Sequence, residues 1–250
     1  MTPIKALAVD IDGTLSDGKR MLCPRAVGAL RSLSVPVVLS TGNTHCFTRT
    51  ASVLLGTPRQ LICENGGVIA FSEDEIEILA DIKLCEDAFE KLSPEFALKR
   101  YNSSRYRFSD IALLRNFDAA AASRRAQDLG LPVEFIDTSF AVHIKDRRVN
   151  KGTGLSRIAK RMKIDLSSFA AIGDSKSDLP MFRLAGYSAS VGNASPELKE
   201  ISDYVAEARY GDGFAEIIEH MIKEKLICGR EQALPSHLSL IFSPVLLLPS

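Results

Sequence analysis

Tryptophan is absent and aromatic residues make up only 7% of the chain, so few platforms exist on which nucleic-acid bases could stack. Net charge is missing as well: 31 basic residues balance 31 acidic ones, with a pI near 6.9. No global basic field is available to hold nucleic acid or an anionic membrane, which leaves a local basic pocket as the way to bind an anion. The five cysteines, Cys23, Cys46, Cys63, Cys85 and Cys228, are odd in number and scattered, with no CxxC pair. That pattern excludes a disulfide framework and a zinc site and points to a reducing compartment. The start of the chain lacks the charged region and small-residue cleavage site of a signal peptide. The longest apolar stretch, Leu238 to Leu248, is broken by Ser243 and Pro244 and is too short to span a bilayer. A soluble cytoplasmic protein is expected, and no internal repeat is present.

What remains is ordinary for a packed protein: 250 residues, 46% hydrophobic and 25% charged, enough to bury a substantial core. Ile4 to Val9 reads as a strand buried on both faces. Pro24 opens a helix in which Val27, Leu30 and Leu33 share a face, and Val35 to Leu39 forms a second strand. Another helical stretch leads to Leu61-Ile62-Cys63, then Glu64-Asn65-Gly66-Gly67, then Val68 to Phe71. Strand, helix, strand, helix, strand predicts a parallel sheet with crossover helices.

The pattern changes from Ile82 to Val149, where the chain reads as helix, strand, helix and a closing strand pair. Asp118 to Leu129 is helical and is stopped by Gly130 and Pro132. Val133 to Ile136 and Phe140 to Ile144 alternate with period two around a turn at Asp137-Thr138-Ser139. The core pattern resumes at Lys151, with Leu155, Ile158, Ala159 and Met162 on one helical face. Phe169 to Ile172 is a buried strand, Pro180 sits in the first turn of the next helix and Gly186 ends it. A short strand follows at Ser188 to Val191. Phe214, Ile217, Ile218, Met221 and Ile222 mark the last amphipathic helix. The fold class is therefore α/β: a Rossmann-like parallel-sheet core (1–81 and 150–228) with a smaller α+β cap domain (82–149) inserted. The tail (229–250) is expected to lie outside the core, and cutting it off is expected to leave activity intact.

The chemistry-bearing residues fall at strand ends. Asp10-Ile11-Asp12-Gly13-Thr14-Leu15 follows the first strand, where open parallel sheets bind ligands. Taken alone, a turn or helix cap accounts for it nearly as well. Gly173-Asp174-Ser175-Lys176-Ser177-Asp178 ends another buried strand, and capping does not explain this second acidic pair. Four carboxylates, Asp10, Asp12, Asp174 and Asp178, converging on one crevice repel unless a cation joins them. An all-oxygen set with no His or Cys favours Mg²⁺. Thr41-Gly42, after the second strand, offers a hydroxyl and backbone N–H groups to a phosphate, or is a simple N-cap. Lys151 opens a helix, where a cation opposes the helix dipole, so it answers either to an anion or to solvent.

The DxDGT, Thr-Gly, Lys-Gly and GDxxxD segments, in that order, resemble the haloacid dehalogenase superfamily of phosphotransferases. With a cap inserted before Lys151, the chain resembles the small phosphatases of that superfamily with an α/β cap. It is most similar to the archaeal-type phosphoglycolate phosphatases, through Leu39-Ser40-Thr41-Gly42-Asn43, Phe140 to Ile144 and Gly173-Asp174-Ser175. Val191-Gly192-Asn193-Ala194 and Gly211-Asp212-Gly213 fit as well, so the likeness runs over about residues 4 to 225. The resemblance implies a Mg²⁺-dependent phosphomonoester hydrolase with 2-phosphoglycolate as substrate. It makes Asp10 the nucleophile that forms an aspartyl-phosphate and Asp12 the general acid and base. Mg²⁺ would be held by Asp10, Asp174, the backbone carbonyl of Asp12 and Asp178, the last directly or through water. Thr41, Gly42 and Lys151 would hold the phosphoryl oxygens.

A sugar-phosphate phosphatase or phosphomutase uses the same motif residues and differs in its cap. A phospho-acceptor signalling module is disfavoured by Asp12, an acid/base two residues from the acceptor, and an idle binding protein by the intact motifs. The expected partner is a small phosphorylated metabolite, with no nucleic acid and no membrane; a homodimer is compatible with the sequence. Asn65-Gly66 reads as a hairpin turn before a substrate group. Asn193 is either a support for the metal loop or a turn residue. His143 reads as structural in a cap strand facing the substrate. Arg105, Arg107, Arg147 and Arg148 flank cap strands, and none is singled out as a substrate ligand.

Overall fold

The computed structural model describes residues 3–138 and 140–227. The expectations for Ser139, for Cys228 and for the tail after it lie outside the described residues. β1 (Ala6–Val9) is buried along its length, and α1 (Pro24–Arg31) starts at its proline as expected. β2 (Val37–Ser40) begins two residues later than the apolar run, because Pro36 cannot donate to a sheet. α2 (His45–Leu55) ends on Gly56 in the left-handed region. It is followed by β3 (Leu61–Cys63), β4 (Val68–Ala70) and the edge strand β5 (Ile76–Ile78).

The next stretch is α3 (Ile82–Phe96), β6 (Asp110–Leu113), α4 (Ala119–Asp128), β7 (Val133–Asp137) and β8 (Val142–Asp146). These form a separate antiparallel sheet, ordered β6-β8-β7. One of its faces packs Ile111, Phe135, Val142 and Ile144 against Cys85, Leu92 and Ala122 of the two helices. The other face carries Ala112, Ile136 and His143 and roofs a crevice.

The chain returns through α5 (Lys151–Met162), β9 (Phe169–Gly173), α6 (Leu179–Phe182), β10 (Tyr187–Ser190), α7 (Pro196–Glu200), β11 (Tyr204–Val205) and α8 (Tyr210–Lys223). Asn150 caps α5, its Oδ1 accepting from the N–H groups of Gly152 and Thr153. Gly186 does not end α6, which stops at Phe182. A Cβ there would lie 1.9 Å from the Ser167 carbonyl oxygen, so its role is close packing. In α8 the apolar face narrows at its end, leaving Ile222 37% exposed.

The main sheet has eight strands, ordered β11-β10-β9-β1-β2-β3-β4-β5. From β11 to β3 every pairing is parallel; the β3–β4 and β4–β5 pairings are antiparallel, so β4 runs against the other strands. β1, β2 and β3 are parallel, as the strand-helix alternation predicts, and the turn read at Asn65-Gly66 reverses the chain into β4. Glu64 to Gly67 is a hairpin, too short for the crossover that a parallel neighbour requires. The first half of the chain builds outward from β1 through β2 and β3, the second through β9 and β10. The order therefore reverses at β1, and the crevice lies at the carboxyl ends there.

Candidate active site

Alternation along β1 aims the first site residue. Leu7 and Val9 point into the layer shared with α1 and α8, and Ala6 and Ala8 into the layer shared with α5. The next residue on the second side is Asp10. It meets Lys151, whose Nζ donates to Asp10 Oδ1 at 2.7 Å and to Asp178 Oδ1 at 2.6 Å. Asp10 is 4% exposed and Lys151 2%. The anion that Lys151 answers to in this structure is thus a pair of carboxylates.

Asp10, Asp174 and Asp178 each present an oxygen within 4.8 Å of the other two. Burial raises the Asp10 carboxyl to about 7, Lys151 opposing and Asp178 adding to the rise. Burial, with Asp10 and Asp178, raises Asp174 to about 8. The Lys151 ammonium is held above its usual value, because Asp10 and Asp178 outweigh its burial. Asp10 Oδ2 is buried without a hydrogen-bond partner among the described residues. An orphaned carboxylate oxygen in an all-oxygen cluster fits a hard divalent cation.

Asp178 is already engaged. Besides Lys151, its Oδ2 accepts from the N–H groups of Asp174 (3.2 Å) and Ser175 (3.0 Å) and from the Ser175 hydroxyl (3.2 Å). Gly13, at φ +86°, brings the loop after β1 so close that a Cβ would lie 2.2 Å from Asp174 Oδ2. Asn193 ties these loops together: its Nδ2 donates to the Gly13 carbonyl at 2.9 Å and its Oδ1 accepts from the Tyr210 N–H at 2.6 Å. Asn193 meets both expectations: it sits in a turn closed by the Ala194 N–H on the Val191 carbonyl at 2.9 Å, and its side chain braces the acidic loop.

The Asp12 carboxylate stands apart from the cluster. It accepts from Arg20 Nε at 2.8 Å and from Asn43 Nδ2 at 2.5 Å, and Arg20 also donates to Asn43 Oδ1 at 2.8 Å. The Arg20 guanidinium lies 5.7 Å from the Phe47 ring and 5.1 Å from that of Phe140. Thr41 is not an N-cap, since α2 starts at His45 with Thr44 in that position. Its Oγ1 accepts from the backbone N–H and the Nδ2 of Asn43, at 3.1 and 3.0 Å.

Asp10, Asp12, Thr41, Gly42, Lys151 and Asp174 line one crevice of about 1070 Å³, and Asp178 stands behind it through Lys151. Tyr101, Arg107, Ala112, Ile136, Phe140 and His143 line it from the smaller sheet's side. Of the four arginines flanking cap strands, Arg107 is the one that reaches in. Its Nη2 donates to the Gly42 carbonyl at 2.6 Å and its guanidinium pairs with buried Asp110. Arg107 holds the Asp110 carboxyl far below the usual range against its burial, with His143 Nδ1 lying 3.3 Å from Asp110 Oδ2. Arg147 donates to the Val133 carbonyl and Arg148 pairs with Asp146, both away from the crevice. A second bond between the sheets is Glu64, which accepts from the N–H groups of Phe108 and Ser109 and the Ser109 hydroxyl, at 3.0, 2.9 and 2.7 Å.

Sequence reasoning assigned no role to Arg20, Asn43 or Glu64. Asn43 carried a signal, two residues beyond Thr41 in the same loop. Arg20 and Glu64 carried none, since both residue types are usually solvated.

The sequence matches the family described as haloacid dehalogenase-like hydrolase over residues 7–127 and 134–218. It is 54% identical, over 87% of this chain and 97% of the relative, to a phosphoglycolate phosphatase of Methanothrix thermoacetophila. It is 42% identical, over 87% and 96%, to a phosphoglycolate phosphatase of Archaeoglobus fulgidus. The solved structure of Thermoplasma acidophilum 0175 superposes with a TM-score of 0.81 at 23% identity, covering 90% of this chain and all of that one. Family match, relatives of nearly full length and shared fold agree that the chain belongs to the haloacid dehalogenase-like hydrolases.

Proposed function

We propose that the crevice hydrolyses 2-phosphoglycolate to glycolate and phosphate, with Mg²⁺ and through an aspartyl-phosphate on Asp10. The chain is a phosphatase: it belongs to a hydrolase family, and relatives 54% and 42% identical to it over 218 residues are phosphoglycolate phosphatases. The observation that carries the chemistry is Asp10 itself. One of its oxygens is held by Lys151 and the other is buried without a partner, at the carboxyl end of the strand where the sheet order reverses.

Asp10 and Asp174 would hold the metal with the Asp12 carbonyl. Asp178, whose oxygens already accept four protein donors, would act through water and by fixing Lys151. When bound, Mg²⁺ supplies positive charge that offsets the repulsion between an anionic nucleophile and an anionic ester. The remaining work falls to side chains. Asp10 attacks phosphorus in line while the ester oxygen leaves. Asp12, outside the acidic cluster and oriented by Arg20 and Asn43, delivers a proton to the leaving oxygen and then takes one from the water that attacks phosphorus, breaking its bond to Asp10 and releasing phosphate and the free carboxylate. Thr41, Gly42 and Lys151 hold the equatorial oxygens.

Phosphate release from 2-phosphoglycolate and a panel of sugar phosphates tests the substrate. A preference for 2-phosphoglycolate is expected; a higher kcat/KM on a sugar phosphate would reassign it.

A further inference from the structure

Asn65 does more than turn the chain. It lies in the hairpin between β3 and β4, where Glu64, Asn65 and Gly66 adopt successive positive φ angles of 50°, 55° and 94°. Asn tolerates this region better than most side chains, and Gly would tolerate it with less strain. Asn65 is nonetheless 3% exposed, lines the crevice, and its Nδ2 has no hydrogen-bond partner among the described residues. A buried amide donor left unpaired is costly, and a turn gives no reason to keep one.

The surroundings aim that donor. The Asn65 N–H donates to the Thr41 carbonyl at 3.1 Å, which ties the hairpin to the loop after β2. Its carboxamide lies against Gly42, where a Cβ would come within 3.0 Å of Oδ1 and 3.1 Å of Nδ2. On the other side Gly66 backs onto the start of α5, and a Cβ there would sit 2.0 Å from the Asn150 carbonyl oxygen and 3.0 Å from the Lys151 nitrogen. Asn65 is therefore clamped between Thr41-Gly42 and the backbone of Lys151, the groups that hold phosphoryl oxygens in the function proposed above.

We propose that Asn65 is a phosphoryl-binding residue whose Nδ2 donates to an equatorial oxygen of the transferring group. The inference rests on the phosphoryl-transfer reading of the same crevice. Three equatorial oxygens gather charge as phosphorus is transferred, and a fixed neutral donor stabilises it without adding a further ion to the crowded cluster.

Asn65→Gly keeps the left-handed backbone and deletes the donor. Asn65→Asp keeps shape and backbone and replaces the donor with an anion. Both are compared with wild type for kcat/KM on 2-phosphoglycolate and on p-nitrophenyl phosphate, for inhibition by orthovanadate, and for Tm without ligand. The expected result for Asn65→Gly is a loss of about 10²-fold in kcat/KM on both esters. The vanadate inhibition constant should rise in parallel, with Tm unchanged or higher; Asn65→Asp loses more. Vanadate inhibition and kcat/KM within twofold of wild type in either folded variant would overturn the assignment. So would a lowered Tm with unchanged vanadate inhibition, which marks a structural role. Failure of wild type to bind vanadate or cleave any ester would instead remove the phosphatase reading, and this inference with it.

Discussion

Lys151 donates to Asp10 at 2.7 Å across 141 residues of chain, from the first turn of a helix to the end of the central strand. The bond joins the two halves of the main sheet at the point where chemistry is expected. It also makes Lys151 a buried cation bonded to two of the three clustered carboxylates, Asp10 and Asp178. Removing it should leave two buried anions uncompensated.

Lys151→Met is therefore expected to destabilise the metal-free protein by about 3–5 kcal/mol, the cost of breaking a buried pair. Added Mg²⁺ should restore part of that loss, while activity stays at least 10²-fold down. Urea denaturation with and without Mg²⁺ checks it. A variant as stable as wild type without metal would contradict the electrostatic reading.

The same carboxylates set a pH dependence. Asp10 and Asp174 sit near 7 and 8 in the folded chain against an ordinary 3.8, so the folded state binds more protons than the unfolded state across that interval. Their contribution is complete below about pH 4 and is lost as pH rises through 7 and 8. Without metal, stability should fall across this window by about 1.4 kcal/mol per pH unit for each proton retained. Mg²⁺ bound between the same oxygens should flatten the slope. Denaturation curves at several pH values, with EDTA and with Mg²⁺, measure it; a metal-free slope of zero or of opposite sign would contradict it.

Arg107 and Asp110 are both buried, and Arg107 also holds the Gly42 carbonyl. Arg107→Met should cost about 3–5 kcal/mol, since it strands the Asp110 carboxylate. The double variant Arg107→Met, Asp110→Leu should recover most of that stability, because an apolar pair replaces both charges. It should not recover activity, the bond to the loop after β2 being gone. A double variant no more stable than the single one would sink the argument.

Much of this was legible in the sequence because it lay in short-range pattern. Apolar runs ending in Asp10, in Thr41 and in Asp174 mark strand ends, and strand ends in such sheets converge. Pro24 opens α1, and Asp118 and Gly130 bound α4, where local rules place them. What was not legible depends on contacts between distant segments. Arg20 and Arg107 look like any solvated arginine until folding sets one beside Asp12 and the other against Asp110 and Gly42. Asn65 was legible as a turn and illegible as a donor, since its unpaired Nδ2 exists only once Gly42 has packed against it.

The most direct test of the account is phosphate release from 2-phosphoglycolate by wild type and Asp10→Asn, each with Mg²⁺ or EDTA. Turnover is expected from wild type with Mg²⁺, none with EDTA, and none from Asp10→Asn under either condition. Turnover by Asp10→Asn at a rate near wild type, or turnover undiminished by EDTA, would contradict it.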